Sequence, residues 1–327
     1  MIADSRPRTT AELHPDHAAA RLYRRVSMWV FILAHLVPLG ALVTGVTVES
    51  VLLAVALYLV RMFAITAGYH RYFSHRSFQT SRVFAALLAA VAQSSFQRGA
   101  LWWAAHHRWH HKHSDDVVDV HSPVQRGFWY SHVGWLFDPE IDARQGKIRD
   151  LAKVPELVWL DRYWLLPGVA LAVFCLVVAG WPGLWIGFFA STVALWHGTF
   201  TINSLCHVWG SRRYRTTDQS RNNLWLALLS LGEGWHNNHH YDKQSCRQGF
   251  FWWEIDVTYG VLRALALVGV VWNLRAPRAA AYTLIDRVDQ EPAAMADAAA
   301  GALAALQSAV ALPQSHAQGG GNAQLPG

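Results

Sequence analysis

Four long apolar stretches dominate the pattern of hydrophobic and polar positions along the chain. They cover residues 27–48, 51–69, 164–180 and 184–204, and each approaches the ~20 residues of helix that cross a bilayer core. Short connections at 49–50 and 181–183 join them in pairs. The pattern therefore predicts an all-α integral membrane protein, with four transmembrane helices in two hairpins and a helical cap.

The basic residues predict the orientation of these spans. Neither short connection contains Lys or Arg, and every basic residue except Arg61 lies before residue 27, within 70–163 or after 210. The positive-inside rule then predicts that both termini and the middle segment are cytoplasmic. We expect a polar cytoplasmic leader at 1–26, a membrane domain at 27–280 and a disordered Ala/Gly-rich tail at 291–327. Arg61 is expected to snorkel or to face the interior of the helix bundle.

The composition agrees with a membrane protein. Of the 327 residues, 53% are hydrophobic and 15% are charged, whereas soluble chains have about a quarter charged residues. The three cysteines form no CxxC pair, which excludes a disulfide scaffold and a thiolate metal site. We expect the lipid bilayer, and no nucleic acid, as a partner.

Histidines are the candidate chemistry. Nine of the 18 fall into four groups that the topology places at one membrane face: HRYFSH, HRWHH, NSLCH and HNNHH. Positions i, i+3 and i+4 share a helix face, so each HxxHH should present three imidazoles toward a common point. His70 and His75 are five apart, which predicts either separate metals or a distorted turn. Nine imidazoles exceed the needs of one ion, so a two-metal centre is predicted, but imidazole suits Zn, Cu, Fe and Ni alike.

Other histidines are candidates for supporting roles. A metal-ligating histidine needs a partner on its second nitrogen, and the candidates for such support are His106, His113, His121, His132 and His197. The zinc-protease motifs HExxH and HxxEH are absent from the sequence. The pattern therefore does not indicate that kind of hydrolase.

Five motifs extend the histidine groups: GYHRYFSHRSF (68–78), HHRWHHKHSD (106–115), RGFWYSHVGW (126–135), NSLCHVWG (203–210) and GEGWHNNHH (232–240). Through these motifs the sequence over residues 27–275 resembles the membrane fatty acyl desaturases of the stearoyl-CoA (delta-9) desaturase type. This resemblance implies two irons, with Asn203 reaching one of them through water. The ligand positions implied by the same resemblance are His70, His75, His107, His110, His111, His207, His236, His239 and His240.

The implied reaction introduces a cis double bond, predicted at delta-9, into a saturated acyl chain with O₂ and two electrons. No electron-carrier motif occurs in the chain, so a separate donor is implied, such as a ferredoxin, a rubredoxin or a cytochrome b5-like protein. The resemblance also implies that Tyr58 and Met62 close the substrate tunnel and set chain length. They are four residues apart and so share a helix face.

The motifs leave the identity of the acyl carrier open. Animal acyl-CoA members carry basic head-group contacts where this chain has Ala105-His106 and Pro139-Glu140. Arg144, Lys147 and Arg149 are candidate substitutes, and acyl-CoA is favoured over acyl-lipid or an acyl carrier protein. The closest rival function is a di-iron fatty acyl hydroxylase or acetylenase, and a membrane metal transporter or sensor is a remote one.

Overall fold

A computed structural model describes residues 17–143 and 145–283 of the chain. The tail predicted at 291–327 and the first part of the leader lie outside the described residues. The later part of the predicted leader is helical, because the first helix begins at His17 and not near residue 27. The described residues are mostly helical, as the hydrophobic pattern predicts.

The helices follow one another with short connections. The first half contains α1 (His17–Leu36), α2 (Ala41–Thr44), α3 (Val48–Phe63), α4 (Arg82–Gln93), α5 (Ala100–His113), α6 (Pro123–Arg126) and α7 (Phe128–His132). The second half contains α8 (Pro155–Arg162), α9 (Leu166–Pro182), α10 (Ser191–Ser204), α11 (Leu224–Leu229), α12 (His236–Tyr241), α13 (Val257–Leu267) and α14 (Ala280–Thr283). Two π-helical segments extend α3 and precede α10: Ala64–Ser74 and Gly183–Ala190. Single 3₁₀ turns occupy Val37–Gly40, Gly134–Phe137, Ile141–Ala143 and Leu205–His207.

Three helical stretches of the described residues are long and apolar enough to cross a membrane. They are Ala19–Thr44, Val48–Ser74 and Leu166–His207. The second begins with a capping box, in which the Thr47 side chain accepts from the backbone N–H of Ser50 and the Ser50 side chain accepts from that of Thr47. The connection before this helix is 45–47, so the connection predicted at 49–50 is wrong, and Glu49 and Ser50 lie in the first turn of α3.

The third stretch is not one straight helix. Ala179 and Gly180 have non-helical backbone angles, and Gly180 has a φ of +60°, which favours glycine. A β-carbon at Gly183 would lie 2.4 Å from the carbonyl oxygen of Cys175, whereas eight residues of straight helix span about 12 Å. The chain therefore reverses here, and α9 and the following π-helical segment lie side by side.

Arg61 faces the interior of the bundle. Its side chain is fully buried in α3, and its Nη1 and Nη2 donate to the hydroxyls of Thr192 at 2.7 Å and Ser191 at 2.5 Å. Its Nε donates to the carbonyl of Leu57 at 3.1 Å. These acceptors satisfy the hydrogen-bond donors of the guanidinium in a low-dielectric environment. The hydrogen bonds to Ser191 and Thr192 link α3 to α10.

The all-α expectation needs one correction. Gln79–Thr80 and Val271–Trp272 pair as a two-stranded antiparallel sheet, β1 and β2. The Thr80 hydroxyl also donates to the carbonyl of Val270 at 2.7 Å. Strands of two residues are too short to produce an alternating pattern in the sequence. The sheet fastens the chain after the π-helix to the chain after α13.

Candidate metal centre

The π-helical segment Ala64–Ser74 positions the first two histidines. The backbone N–H of His75 donates to the carbonyl of His70, five residues earlier, at 3.2 Å. This wide winding brings positions i and i+5 to one side, and the two ring centroids are 4.9 Å apart. The distorted turn expected from the sequence is present, and it brings both rings to one cluster and not to separate ones.

Five histidines form the first cluster. Its shortest contacts join Nε2 of His239 to Nε2 of His70 at 3.0 Å and to Nε2 of His111 at 2.9 Å. Nε2 of His75 lies 2.9 Å from Nε2 of His107. The potential ligand atoms all lie within 4.8 Å of one another. We call this set the five-histidine cluster: His70, His75, His107, His111 and His239.

A second set of four histidines lies directly beside it, again with its potential ligand atoms within 4.8 Å of one another. Nε2 of His207 is 3.1 Å from Nε2 of His236. The rings of His111 and His240, which belong to different sets, have centroids 4.5 Å apart. We call the second set the four-histidine cluster: His110, His207, His236 and His240.

The clusters correct one expectation from the sequence, because neither HxxHH presents all three imidazoles to a single point. On α5, His107 and His111 enter the five-histidine cluster and His110 enters the other. On α12, His239 is separated from His236 and His240 in the same way. The side chains of adjacent residues in a helix point about 100° apart. Each of these two helices therefore supplies histidines to both clusters and holds the clusters close together.

The ring nitrogens suit metal ions. Nε2 of His240 is buried without a hydrogen-bond partner among the described residues, and Nε2 of His207 and Nε2 of His236 lie 3.1 Å apart. Burial, and then the neighbouring histidines, lowers the pKa of His236 and His239 well below the ordinary value. Neutral imidazoles with converging lone pairs are a donor set for a divalent metal. The residues therefore fit two ions, one in each cluster.

Four carboxylates support these histidines, and the sequence analysis did not identify them. Nδ1 of His207 lies 2.9 Å from Asp115, and Nδ1 of His110 lies 2.9 Å from Asp119. Further partners are Asp218 for His240 and Glu233 for His70. Asp115 and Glu233 occur inside the recognised motifs, and the need of a ligating histidine for an acceptor was the signal that could have indicated them.

An apolar cavity of about 680 Å³ leads to both clusters. It contacts His70 and His107 of the five-histidine cluster and His110 and His236 of the four-histidine cluster. Its walls come mainly from α1, α5, α10 and the π-helical segment after α3, and include Val30, Phe31, Ile65, Phe96, Trp196 and Phe200. This volume and lining are typical of a site for a large apolar ligand.

The other predicted residues lie at or near this cavity. Asn203 and Met62 line it, and Met62 is fully buried. Tyr58 packs behind Met62, where its hydroxyl donates to the carbonyl of Leu229 at 2.8 Å. A β-carbon at Gly198 would lie 2.6 Å from the Tyr58 hydroxyl and 3.0 Å from Met62 Cε. The two side chains thus fill the space beside α10.

The histidines proposed for supporting roles separate into different environments. The ring of His121 lies 4.4 Å from that of His110, next to the four-histidine cluster. His132 and His197 instead form a chain with His35, with nitrogen–nitrogen distances of 3.0 and 2.9 Å. His106 bonds to the carbonyls of Trp102 and Ile141, and His113 lies beside Asp116. Of the five, only His121 contacts a cluster among the described residues.

Comparisons with known proteins agree with this site. A profile of the Fatty acid desaturase family matches residues 46–244, which contain every histidine of both clusters. The chain is 39% identical over 219 residues to the sn-2 palmitoyl-lipid 9-desaturase of Nostoc sp. (strain 36), covering 65% of this chain and 76% of the relative. It is 38% identical over 213 residues to the sn-1 stearoyl-lipid 9-desaturase of Anabaena variabilis, covering 64% and 78%.

A plant relative has a different printed specificity. The chain is 38% identical over 221 residues to the icosanoyl-CoA 5-desaturase of Limnanthes douglasii, covering 66% of this chain but only 62% of the relative. The chain thus spans less than two thirds of that protein. Profile, relatives, cavity and histidine clusters lead to one conclusion: this chain belongs to the fatty acid desaturase family, membrane oxidoreductases that act on fatty acyl chains.

Proposed function

We propose that the protein is an acyl desaturase that introduces a cis double bond at the delta-9 position of a saturated chain, using two irons, O₂ and an external electron donor. The observation that carries this proposal is the apolar cavity that contacts both histidine clusters. The five-histidine cluster would hold one iron and the four-histidine cluster the other, with Asn203 reaching one of them through water. Bound iron would supply the oxidation of an unactivated C–H bond.

The protein's own residues position the substrate. Aromatic and aliphatic side chains along the cavity, such as Phe96, Trp196 and Phe200, bind the acyl chain and exclude water from it. Binding of the acyl chain fixes the reacting carbons beside the clusters. Such orientation accounts for a large part of the rate of an enzymatic reaction over that of the same reaction in solution. His107 and His236, one from each cluster, lie on the cavity wall.

We further propose four membrane crossings, with both termini and the histidine clusters on the cytoplasmic side. The reversal at Ala179–Gly180 supports reading the stretch Leu166–His207 as two antiparallel crossings. The absence of Lys and Arg from the short connections, around residues 45–47 and 181–183, supports this orientation. Cytoplasmic donors such as ferredoxin, rubredoxin or a cytochrome b5-like protein would then have access to the centre.

The lining of the cavity favours an acyl chain attached to a membrane lipid. Arg98 is the only Lys or Arg among the described lining residues, and it lies between the rings of Trp102 and Trp164. Lys147 and Arg149 are exposed and do not line the cavity, and Arg144 lies outside the described residues. Coenzyme A carries several phosphates, which basic side chains normally bind. Acyl-CoA, which the sequence analysis favoured, is therefore the second candidate.

The test uses the full chain in its membrane with a ferredoxin and its reductase. Stearoyl chains are offered either as stearoyl-CoA or as a glycerolipid in vesicles, and mass spectrometry of the products locates the double bond. We expect a delta-9 double bond formed on the glycerolipid. Product from stearoyl-CoA alone would overturn the proposed carrier, and a hydroxylated product would favour the hydroxylase rival. No reaction with either carrier, when ferredoxin, rubredoxin and cytochrome b5 are each supplied as the donor, would contradict the desaturase.

We propose that Met62, with Tyr58 behind it, limits the chain length. Met62→Ala removes side-chain volume from the cavity wall, so the variant should shift its products toward longer acyl chains. The measurement is product distribution from equal mixtures of saturated C16, C18 and C20 chains. Val55→Ala, at an exposed position of the same helix, is the control and should not alter the distribution. An unchanged preference in Met62→Ala would refute the assignment.

A further inference from the structure

The carboxylates around the two clusters are unequally distributed. Three of the four histidines in the four-histidine cluster have a carboxylate on Nδ1: His110 with Asp119 at 2.9 Å, His207 with Asp115 at 2.9 Å and His240 with Asp218 at 2.6 Å. A carboxylate in this position accepts a hydrogen bond from the Nδ1–H group. The Nε2 lone pair is then free for a metal ion, and it becomes a stronger electron-pair donor. Three of these four rings are thus oriented and activated.

Further hydrogen-bond donors hold these aspartates in place. Asp115 also accepts from the Ser122 hydroxyl at 2.6 Å and from the backbone N–H of Gln219 at 2.7 Å. Asp218 accepts from the Thr216 hydroxyl and from the backbone N–H of Ser220. Both carboxylates therefore keep the orientation in which they face the imidazoles.

The five-histidine cluster has much less support. In the part of the chain that the structure describes, only His70 has a carboxylate partner, Glu233. Glu233 also accepts from Arg71 at 3.0 Å, a buried cation that it shares with Asp256. Nδ1 of His239 is buried without a hydrogen-bond partner among the described residues. One imidazole of this cluster thus has a carboxylate partner, against three in the four-histidine cluster.

We propose that the four-histidine cluster binds its metal ion more tightly than the five-histidine cluster and fills first. This inference rests on the proposed two-metal centre. Three buried anions favour a dication at short range in a low-dielectric site. Outer carboxylates are each worth about 10–100-fold in metal affinity. Three of them, against the single Glu233 beside the other cluster, outweigh the one additional imidazole of that cluster.

Cobalt titration tests the order of filling, with a readout independent of catalysis. The purified full chain is stripped of metal in detergent, and Co²⁺ is added while its absorption is recorded. We expect two steps, the first at least about tenfold tighter. His207→Ala should remove the tight step and His75→Ala the weak one. Asp119→Asn and Asp218→Asn, which preserve side-chain shape, should each weaken the tight step by about 10–100-fold and leave the weak step unchanged.

Glu156→Gln is the control, because Glu156 forms a surface ion pair with Arg82 far from the histidines in sequence; it should bind cobalt as the parent does. Two equal steps, or loss of the tight step in His75→Ala, would overturn the order while leaving the two-metal centre intact. Fewer than two Co²⁺ per chain would contradict both the order and the two-metal centre.

Discussion

A His239→Ala variant is expected to form no detectable double bonds while it still inserts into the membrane. In the unaltered protein the ring of His239 lies in the middle of the five-histidine cluster, with its Nε2 at 3.0 Å from Nε2 of His70 and 2.9 Å from Nε2 of His111. Loss of an outer partner of a metal ligand costs about 10–100-fold, so loss of the ligand itself should cost more than about 100-fold. The measurement is desaturated product per chain, with metal content determined in parallel.

His113→Ala is the matched control for this variant. His113 lies on α5 next to the clustered histidines, but it belongs to neither cluster and contacts Asp116. This variant should retain metal and most of its activity. Equal losses in both variants would indicate that removal of any histidine from this region disrupts folding, and normal activity of His239→Ala would contradict the assignment of the five-histidine cluster.

An Arg71→Met variant is expected to lose about 3–5 kcal/mol of stability, because one member of a buried ion network is removed and the others stay buried. The Arg71 guanidinium is 1% exposed and contacts Glu233 and Asp256, each at 3.0 Å. It also donates to the carbonyl of Cys246 at 2.8 Å. For a chain of this size we expect a fall in Tm on the order of 10 °C, measured by thermal unfolding in detergent.

Arg76→Met provides the comparison. Arg76 also pairs with a carboxylate, Asp150, at 2.8 Å, but both side chains are more than one-third exposed. Exposed pairs contribute about 0–1 kcal/mol, so the change in Tm should be small. A similar Tm for the two variants would show that the buried network around Arg71 contributes no more to stability than the exposed pair of Arg76 and Asp150.

The sequence predicts the residues of the site better than it predicts their arrangement. Hydrophobic pattern and charge placement indicate the membrane helices, and the spacing of the histidines indicates a two-metal centre. The spacing of His70 and His75 predicts a distorted turn as one of two alternatives, but it does not predict the full π-helical segment Ala64–Ser74, because such segments are rare and mostly a single turn. The division of each HxxHH between two clusters follows from side-chain directions, and only the neighbouring helices decide which imidazole faces which cluster.

The carboxylates were missed for a related reason. Asp119 is nine residues from His110, and Glu233 is 163 residues from His70, so no local pattern connects them. Their roles depend on tertiary contacts, such as the hydrogen bond from Nδ1 of His240 to Asp218 at 2.6 Å. Sequence distance hides such partners, whereas the requirement that a buried imidazole N–H find an acceptor makes their existence predictable.

Anomalous diffraction at the iron absorption edge, on crystals of the active protein, tests the two-metal centre most directly. We expect two peaks per chain, one within the five-histidine cluster and one within the four-histidine cluster. A single peak, or peaks outside both clusters, would contradict the two-metal centre.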